Sequence, residues 1–181
     1  SAPGFAAEGY VFVTQDMRGR FESEGENIPF IGCGWGEHQD GLDTVEWIKK
    51  QPWCNGRIGT SGGSYGGWTQ WASAPGAHSA VKCLMPVVPF ADVYRDIAYV
   101  GGGFQLSLLV GWGAAVGGGP LKPEELQSVY RLLRLATLGD QLKPKVPYIN
   151  DWIRHTTADD YWKQRSIGER YEDVTVPILN V

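Results

Sequence analysis

Cysteine and histidine are scarce in this chain, which has three of each among its 181 residues and no Cys-x-x-Cys spacing. Because Cys33, Cys54 and Cys83 are odd in number, neither a disulfide framework nor a zinc site is expected, and reduced or buried thiols are favoured. Basic clusters are also absent, and the formal net charge is −4. We therefore expect neither nucleic acid nor a membrane surface as a partner.

Phosphate-binding patterns are missing as well. No Gly-x-Gly-x-x-Gly occurs, and no glycine-rich loop ends in Gly-Lys-Ser/Thr, so a nucleotide-binding protein is disfavoured. The first residues show no basic segment followed by an apolar core, so no signal peptide is visible and we favour a cytoplasmic location. The uncharged run 97–121 contains eight glycines. Within it we expect residues 104–112 to form a short apolar helix that is buried in protein rather than in lipid.

The most informative stretch contains Gly-Gly-Ser-Tyr-Gly at residues 62–66. A strand-like run at 57–61 precedes it and a helix-compatible run at 65–74 follows it, which is the context of a nucleophile elbow. Gly62 and Gly66 are expected to let the neighbouring backbone pass close to the turn. Ser64 is therefore the candidate nucleophile, at the positive end of the following helix. An ordinary glycine-rich turn is the alternative.

The pattern around this stretch alternates strands and helices. Residues 9–14 predict a buried strand, residues 40–50 an amphipathic surface helix and residues 80–89 another strand. Such alternation predicts a parallel α/β sheet, with ligand sites at the carboxyl ends of its strands. Arg18, in the loop after the first strand, is expected to pair with Asp16 or Glu24. Since that strand begins so early, we expect the natural chain to start further upstream.

The pattern changes after residue 91. Residues 123–138 predict the clearest helix, begun by Pro123 and stopped by Gly139. Its apolar stripe consists of Leu126, Val129, Tyr130, Leu133 and Ala136. Shorter helices are predicted within 149–170 and a strand at 174–181. We therefore expect three parts: an α/β core with the elbow at 1–91, a helical cap insertion at 92–172, and a return strand of the core at 173–181.

Several motifs together resemble one known family. The first is Gly-Tyr-Val-Phe-Val-Thr-Gln-Asp-Met-Arg-Gly-Arg at 9–20, with Ser-Glu-Gly at 23–25. The next are Asp-Gly-Leu-Asp-Thr-Val-Glu-Trp at 40–47 and Gln-Pro-Trp-Cys-Asn-Gly-Arg-Ile-Gly at 51–59. The last are Gly-Gly-Ser-Tyr-Gly-Gly at 62–67 and His155 followed by Asp-Tyr-Trp at 160–162. In this order they resemble the cocaine esterase, X-prolyl dipeptidyl peptidase and α-amino acid ester hydrolase group of α/β-hydrolases. The resemblance implies an α/β-hydrolase fold, with a parallel sheet and a helical cap insertion.

The resemblance also implies roles for particular residues. Ser64 matches the nucleophile that forms the acyl-enzyme, and Tyr65 matches the residue whose backbone N–H is one oxyanion-hole donor. The helical insertion matches the cap over the acyl pocket, so Trp68, Phe104 and Trp112 are candidate pocket residues, with plain core packing as the alternative. No metal or organic cofactor is implied. The expected partner is a small-molecule ester, amide or short peptide substrate, and a homo-oligomer is left open.

The remaining catalytic groups have no clear match. The resemblance places the triad acid after the strand at 174–181 and the histidine later still, so we expect both beyond residue 181 and a chain that is incomplete at both ends. His38 and His78 are unsuitable as the base, because they fall on the wrong side of a credible acid or too near the helix of the elbow. His155 matches a structural histidine of the cap, with catalytic base as its alternative. The leading hypothesis is a serine hydrolase of ester or amide bonds. The alternative is an inactive fragment or a non-catalytic, hydrolase-like binding module.

Overall fold

The computed structural model describes residues 2–132 and 134–181, so Leu133 of the predicted apolar stripe lies outside the described residues. A short helix, α1 (Ala2–Ala7), precedes a long loop and α2 (Asp40–Lys49). Strand β1 (Ile58–Gly63), helix α3 (Tyr65–Ser73) and strand β2 (Val81–Val87) then form one compact unit. The predicted boundaries of α2, α3 and the two strands hold to within two residues.

The two strands lie parallel and are joined by α3, as the alternating pattern predicts. Their register runs from Ile58 opposite Val81 to Gly63 opposite Val87, with one irregularity between Ile58 and Gly59. Parallel strands cannot be joined by a tight hairpin, so α3 provides the crossover and covers one face of the pair. The carboxyl end of β1 consequently opens directly into the N-terminus of α3.

The last residues run alongside β2. Leu84 N–H donates to the carbonyl of Pro177 at 3.0 Å, and Leu179 N–H donates back to the carbonyl of Leu84 at 2.9 Å. Val181 N–H donates to the carbonyl of Pro86 at 3.0 Å. A parallel bridge joins Leu84 to Ile178, whereas the flanking residues form no continuous ladder. The predicted return strand therefore follows β2 but is regular only at this bridge.

Residues 92–172 are mostly helical. The α-helices are α4 (Leu106–Gly117), α5 (Pro123–Val129), α6 (Leu138–Gln141), α7 (Pro147–Arg154) and α8 (Asp160–Lys163). A π-helical turn lies at Val93–Ala98, and 3₁₀ turns lie at Val100–Gly102, Leu135–Thr137 and Gly168–Asp173. Helix α4 is the apolar helix expected at 104–112, extended to Gly117. Across residues 2–132 and 134–181, no helix has both the length and the apolar character needed to cross a membrane.

The buried strand predicted at residues 9–14 is wrong, because this segment is exposed and forms no ladder with any described residue. Apolar β-branched residues form a strand only where a neighbouring strand supplies hydrogen bonds to the backbone. Here the aromatic side chains pack locally instead. The ring of Phe12 stacks on Phe5 at 5.4 Å, and Tyr10 meets Phe5 edge-on at 6.2 Å.

The single helix predicted at 123–138 is also wrong, because α5 ends at Val129. After it, Leu132 N–H bonds back to the carbonyl of Val129 at 3.0 Å, three residues away, which tightens the chain into a turn. Gly139, expected as the stop, lies inside α6. Its N–H donates to the Asn150 side chain at 2.7 Å and its carbonyl accepts from Val146 N–H at 2.9 Å, so contacts with α7 override the local helical pattern.

Arg18 pairs with neither of the nearby acids expected from the sequence. Its guanidinium makes two hydrogen bonds to the carboxylate of Asp40, one of them from Nε at 3.0 Å. Asp40 is the first residue of α2, where a carboxylate is favoured by the helix dipole. The hydrogen bond to Asp40 raises the pKa of Arg18, so the guanidinium stays protonated. Arg18 thus ties the loop between α1 and α2 to the start of α2 rather than to another residue of the same loop.

The larger of two hydrophobic clusters is centred on Phe30, which is 2% exposed. Its ring centroid lies between 5.1 and 5.8 Å from those of five other aromatic rings: Tyr65, Trp68, Phe90, Trp112 and Trp152. These residues come from both 1–91 and 92–172, so the expected division into core and cap stays a prediction. A smaller cluster of Ala74, Val81 and Leu84 packs against residues of the final segment.

We predict that Phe30→Ala lowers the free energy of unfolding by about 3–5 kcal/mol, because it removes a fully packed ring and leaves a cavity. Phe21→Ala is the matched control: Phe21 is 81% exposed, and the same truncation should change stability by less than about 0.5 kcal/mol. Urea unfolding followed by tryptophan fluorescence measures both. Equal losses in the two variants would contradict the placement of Phe30 at the centre of the core.

Candidate active site

Ser64 occupies the sharp turn between β1 and α3. Its backbone has φ 55° and ψ −119°, a region that a residue with a Cβ rarely adopts and that costs about 1–3 kcal/mol. Three backbone hydrogen bonds hold it there. Ser64 N–H donates to the carbonyl of Val87 in β2 at 2.9 Å, and its own carbonyl accepts from Gly67 and Trp68 N–H at 2.8 and 3.0 Å. The side chain is consequently exposed at the end of the strand.

The start of α3 offers unpaired donors beside this hydroxyl. Ser64 does not cap the helix with its side chain. In the part of the chain that the structure describes, neither Ser64 Oγ nor the N–H groups of Tyr65 and Gly66 take part in a hydrogen bond. The first N–H groups of a helix have no intrahelical acceptor and carry its positive partial charge. The turn therefore places an exposed hydroxyl next to a cluster of free amides.

Two glycines give the turn the space that it needs, although only one of them was expected. A Cβ added at Gly62 would lie 3.1 Å from the carbonyl oxygen of Gly66, and one at Gly67 would lie 3.2 Å from that of Val87. A Cβ at Gly66 itself would meet nothing within 4 Å. The steric expectation for Gly66 is therefore wrong: the close approach is made by its backbone to Gly62, and its own side-chain position faces open space.

The side chain of Tyr65 points away from the turn into the aromatic cluster. Its hydroxyl accepts a hydrogen bond from Phe30 N–H at 3.1 Å, and its ring stacks on Trp68 at 5.6 Å with an interplanar angle of 7°. Burial raises the pKa of the Tyr65 phenol well above its ordinary value, so it stays neutral. Tyr65 thus has two separate parts: a free N–H beside Ser64 and a buried ring that anchors the helix.

The three expected pocket residues lie in different surroundings. Trp68 is 1% exposed and belongs to the core, and its Nε1 is buried without a partner among the described residues. Trp112 is half-buried, and its ring lies 5.1 Å from the rings of both Phe30 and Tyr65, within the aromatic cluster. Phe104 packs on Tyr99 at 5.3 Å. A pocket role for these residues stays a prediction.

No histidine in the described part of the chain is bonded to Ser64. His155 is held elsewhere: its Nδ1 lies 2.7 Å from Asp159 Oδ2, and its ring stacks on Tyr161 at 4.1 Å. His78 contacts Lys49 and Glu46 at the surface, and His38 is exposed. The arrangement of His155 agrees with the structural role that the sequence favoured for it.

Gln70 is a residue of the site that the sequence reasoning did not single out. It lies in α3, is 6% exposed, and its side chain bonds to Gly62 and Gly66 on the two sides of Ser64. The sequence offered one indication, since a glutamine among buried positions of a short helix needs polar partners. Which partners it finds depends on how α3 lies on the sheet, so the pattern alone could not identify them.

Cys33 is a potentially nucleophilic side chain that packs against the aromatic cluster around Phe30. It is half-buried and contacts the aromatic core. Burial, with a smaller contribution from the negative charge of Asp40, raises the pKa of its thiol to about 12. Because the thiolate is the reactive form, this raised pKa leaves the Cys33 thiol almost wholly protonated and weakly nucleophilic near neutral pH.

Comparisons with known proteins support one assignment. The family model described as X-Pro dipeptidyl-peptidase (S15 family) matches residues 1–181. Cocaine esterase from Rhodococcus sp. (strain MB1 Bresler) is 33% identical over 97% of this chain and 33% of its own. An aminopeptidase from the marine sediment archaeon Thaumarchaeota archaeon shares the fold with a TM-score of 0.76 at 22% identity, over 99% of this chain and 33% of that one.

An α-amino acid ester hydrolase gives a TM-score of 0.74 at 22% identity, with the same coverage of 99% and 33%. The expected fold class, α/β of the α/β-hydrolase type, is confirmed by these likenesses. The chain spans about a third of the length of the relatives that it matches.

We predict opposite effects for alanine at two glycines of the turn. Gly62→Ala should destabilise by about 1–3 kcal/mol, because its Cβ would press on the Gly66 carbonyl. Gly66→Ala should leave stability unchanged or raise it by up to about 1 kcal/mol, because alanine favours the helix and its Cβ has room. Urea unfolding midpoints of the two variants measure this difference. Similar losses at both positions would contradict the geometry of the turn.

We predict that the cysteines differ in reactivity. Since burial disfavours the charged thiolate, Cys33 should resist iodoacetamide at about pH 8 and react only as the pH approaches its pKa of about 12. Cys83 is exposed and serves as the internal control. Peptide mapping after timed alkylation gives both rates. Modification of Cys33 as fast as Cys83 would show that the loop beside Tyr65 is open.

Proposed function

The chain belongs to the X-Pro dipeptidyl-peptidase (S15) family, and from this premise we propose that it supplies Ser64 as the nucleophile of a serine hydrolase that cleaves ester or amide bonds. The observation that carries the proposal is the backbone of Ser64, held at φ 55° by Val87 with an exposed, unbonded hydroxyl. A strained serine between a strand and a helix is the arrangement of a nucleophile elbow. The resemblance found in the sequence is confirmed at the level of the family by the family model, which matches residues 1–181.

The proposed reaction has two halves. Ser64 Oγ attacks the acyl carbonyl carbon while a general base takes the hydroxyl proton, which gives a tetrahedral intermediate. The N–H of Tyr65, at the positive end of α3, donates to the oxyanion. The carbonyl reforms as the C–O or C–N bond breaks, and the base returns its proton to the departing alcohol or amine. Water then attacks the acyl-enzyme by the same route and releases the acid.

The base and its acid partner are not supplied by any contact in the described part of the chain. His155 is paired with Asp159 and stacked on Tyr161, and neither His38 nor His78 is bonded to Ser64. The proposal therefore requires a histidine from outside these 181 residues. A non-catalytic, hydrolase-like binding module is the second candidate, favoured by this lack of a base beside Ser64.

The proposed substrate class is a small ester, amide or short peptide. A relative and two structural neighbours carry the names cocaine esterase, aminopeptidase and α-amino acid ester hydrolase, which denote cleavage of esters or of peptide bonds. The half-buried Trp112, whose ring meets that of Tyr65, is proposed as one wall of the acyl pocket, together with Phe104 and Trp68. No residue of the proposed mechanism acts through a metal or an organic cofactor.

We predict that a fluorophosphonate adds once to the full-length protein and that the adduct maps to Ser64. Ser64→Ala should abolish labelling and lower kcat for a p-nitrophenyl ester by at least about 10³-fold, because the attacking oxygen is lost. Ser61→Ala, which removes an exposed hydroxyl three residues earlier in β1, is the matched control and should be labelled normally. Intact mass and peptide mapping provide the readout.

One combination of results would contradict the proposed role of Ser64. If the folded wild-type protein is not labelled and Ser64→Ala leaves ester hydrolysis unchanged, Ser64 is not a nucleophile. The binding-module candidate would then take its place.

A further inference from the structure

Gln70 occupies a buried position between α3 and the sheet, six residues after Ser64. It is 6% exposed, in a helix whose other buried residues are Gly67, Trp68 and Ala72. Burial of an amide costs free energy unless its hydrogen bonds are made. A leucine or methionine would fill this space without that requirement, so the contacts of the amide show what the glutamine does.

The Gln70 amide uses its full capacity for hydrogen bonds. Nε2 donates to the carbonyl of Gly62 at 3.1 Å and to the carbonyl of Gly66 at 2.9 Å. Oε1 accepts from Thr60 Oγ1 at 2.7 Å and from the N–H of Met85 at 3.1 Å. The orientation is fixed by these partners, since the reverse orientation would set Oε1 against two carbonyl oxygens. One side chain therefore joins β1, the turn, α3 and β2.

The two carbonyls bound by Nε2 lie at matching positions around Ser64. Gly62 is two residues before the serine, at the end of β1, and Gly66 is two residues after it, in the first turn of α3. A single NH₂ group that binds both carbonyls therefore holds the two ends of the turn together. A residue held at φ 55° persists only where its surroundings over-determine its conformation. The Gln70 amide provides that constraint together with the carbonyl of Val87, which accepts from Ser64 N–H.

We propose that Gln70 is a positioning residue that sets the direction of the Ser64 hydroxyl and of the Tyr65 N–H by holding both arms of the turn. This inference rests on the proposed role of Ser64. Gln70 does not reach the substrate and acts only through the backbone of residues 62–66. Its loss should lower the rate of the covalent step at Ser64 and leave the initial binding of the reagent almost unchanged.

The test uses the full-length protein and a fluorophosphonate, with kinact and KI for Ser64 measured separately. Gln70→Met keeps the volume and removes all four hydrogen bonds. It should lower kinact about 10²-fold, because small misplacements of reacting groups have effects of that size, with KI within about threefold. Thr60→Val is the matched control: it removes one bond to Oε1 but leaves both bonds to the turn. It should keep kinact within about threefold of the wild type.

Gln70→Glu provides a pH-dependent readout, measured only at pH values where circular dichroism shows the variant to be fully folded, since a buried carboxylate also lowers stability as the pH rises. Its carboxylate has no donor for the carbonyls of Gly62 and Gly66, whereas its protonated form has one. Burial raises the pKa of such a carboxyl group. The ratio of its kinact to that of the wild type should therefore rise as the pH is lowered from about 8 to about 6. For Thr60→Val the same ratio should stay flat. If Gln70→Met does not fold, this pH series on Gln70→Glu and Thr60→Val tests the positioning role of Gln70.

Two outcomes would overturn the inference. One is a folded Gln70→Met protein that is labelled within about threefold of the wild-type rate. The other is a Gln70→Glu protein whose ratio does not change with pH. If the wild type itself is not labelled, the proposed function fails, and amide hydrogen exchange at Ser64, Gly67 and Trp68 decides the role of Gln70. Exchange in Gln70→Met should then be about tenfold faster than in Thr60→Val, and equal exchange rejects the role.

Discussion

Helix α3 is held between a hydrophobic and a polar layer, and the geometry of the turn depends on both. On one side Tyr65 and Trp68 pack against Phe30, whose ring touches five aromatic neighbours. On the other side Gln70 is hydrogen-bonded to the sheet and to the turn. The apolar contacts of the aromatic layer depend mainly on buried area, whereas the hydrogen bonds of the amide depend on its orientation. A rotation of the helix would break contacts in both layers at once.

The Tyr65 side chain connects this helix to the long loop before α2. Its hydroxyl binds Phe30 N–H, and the same loop is held at its other end by the Arg18 pair with Asp40. Both ties join residues that are distant in the sequence. The loop therefore lies along the start of α3 and covers the aromatic cluster from one side, while the proposed site stays open at Ser64.

Local rules allowed the centre of this fold to be predicted well. The strand, turn and helix at residues 58–73 follow from glycine placement and from β-branched and helix-forming runs, which act within a few residues. The errors lie where distant contacts decide. Residues 9–14 form no ladder with any residue that the structure describes, and α5 and α6 are separate helices, with Gly139 bonded to Asn150 and Val146. Gln70 could be predicted as buried and polar, but its partners appear only when α3 lies on the sheet. The roles of Ser64 and Tyr65 remain proposals.

The bond from Ser64 N–H to the carbonyl of Val87 has a consequence for the order of folding. Val87 lies beyond the whole of α3 in the chain, so the turn cannot be completed by the residues around it. Pairing of parallel strands is non-local and comes late compared with helix formation. In a nascent or partly unfolded chain in which β2 has not docked, this bond is missing and Ser64 is free to relax. If Ser64 is the nucleophile, as proposed, its reactivity would report that β2 has docked, and misfolded copies would carry no activated hydroxyl.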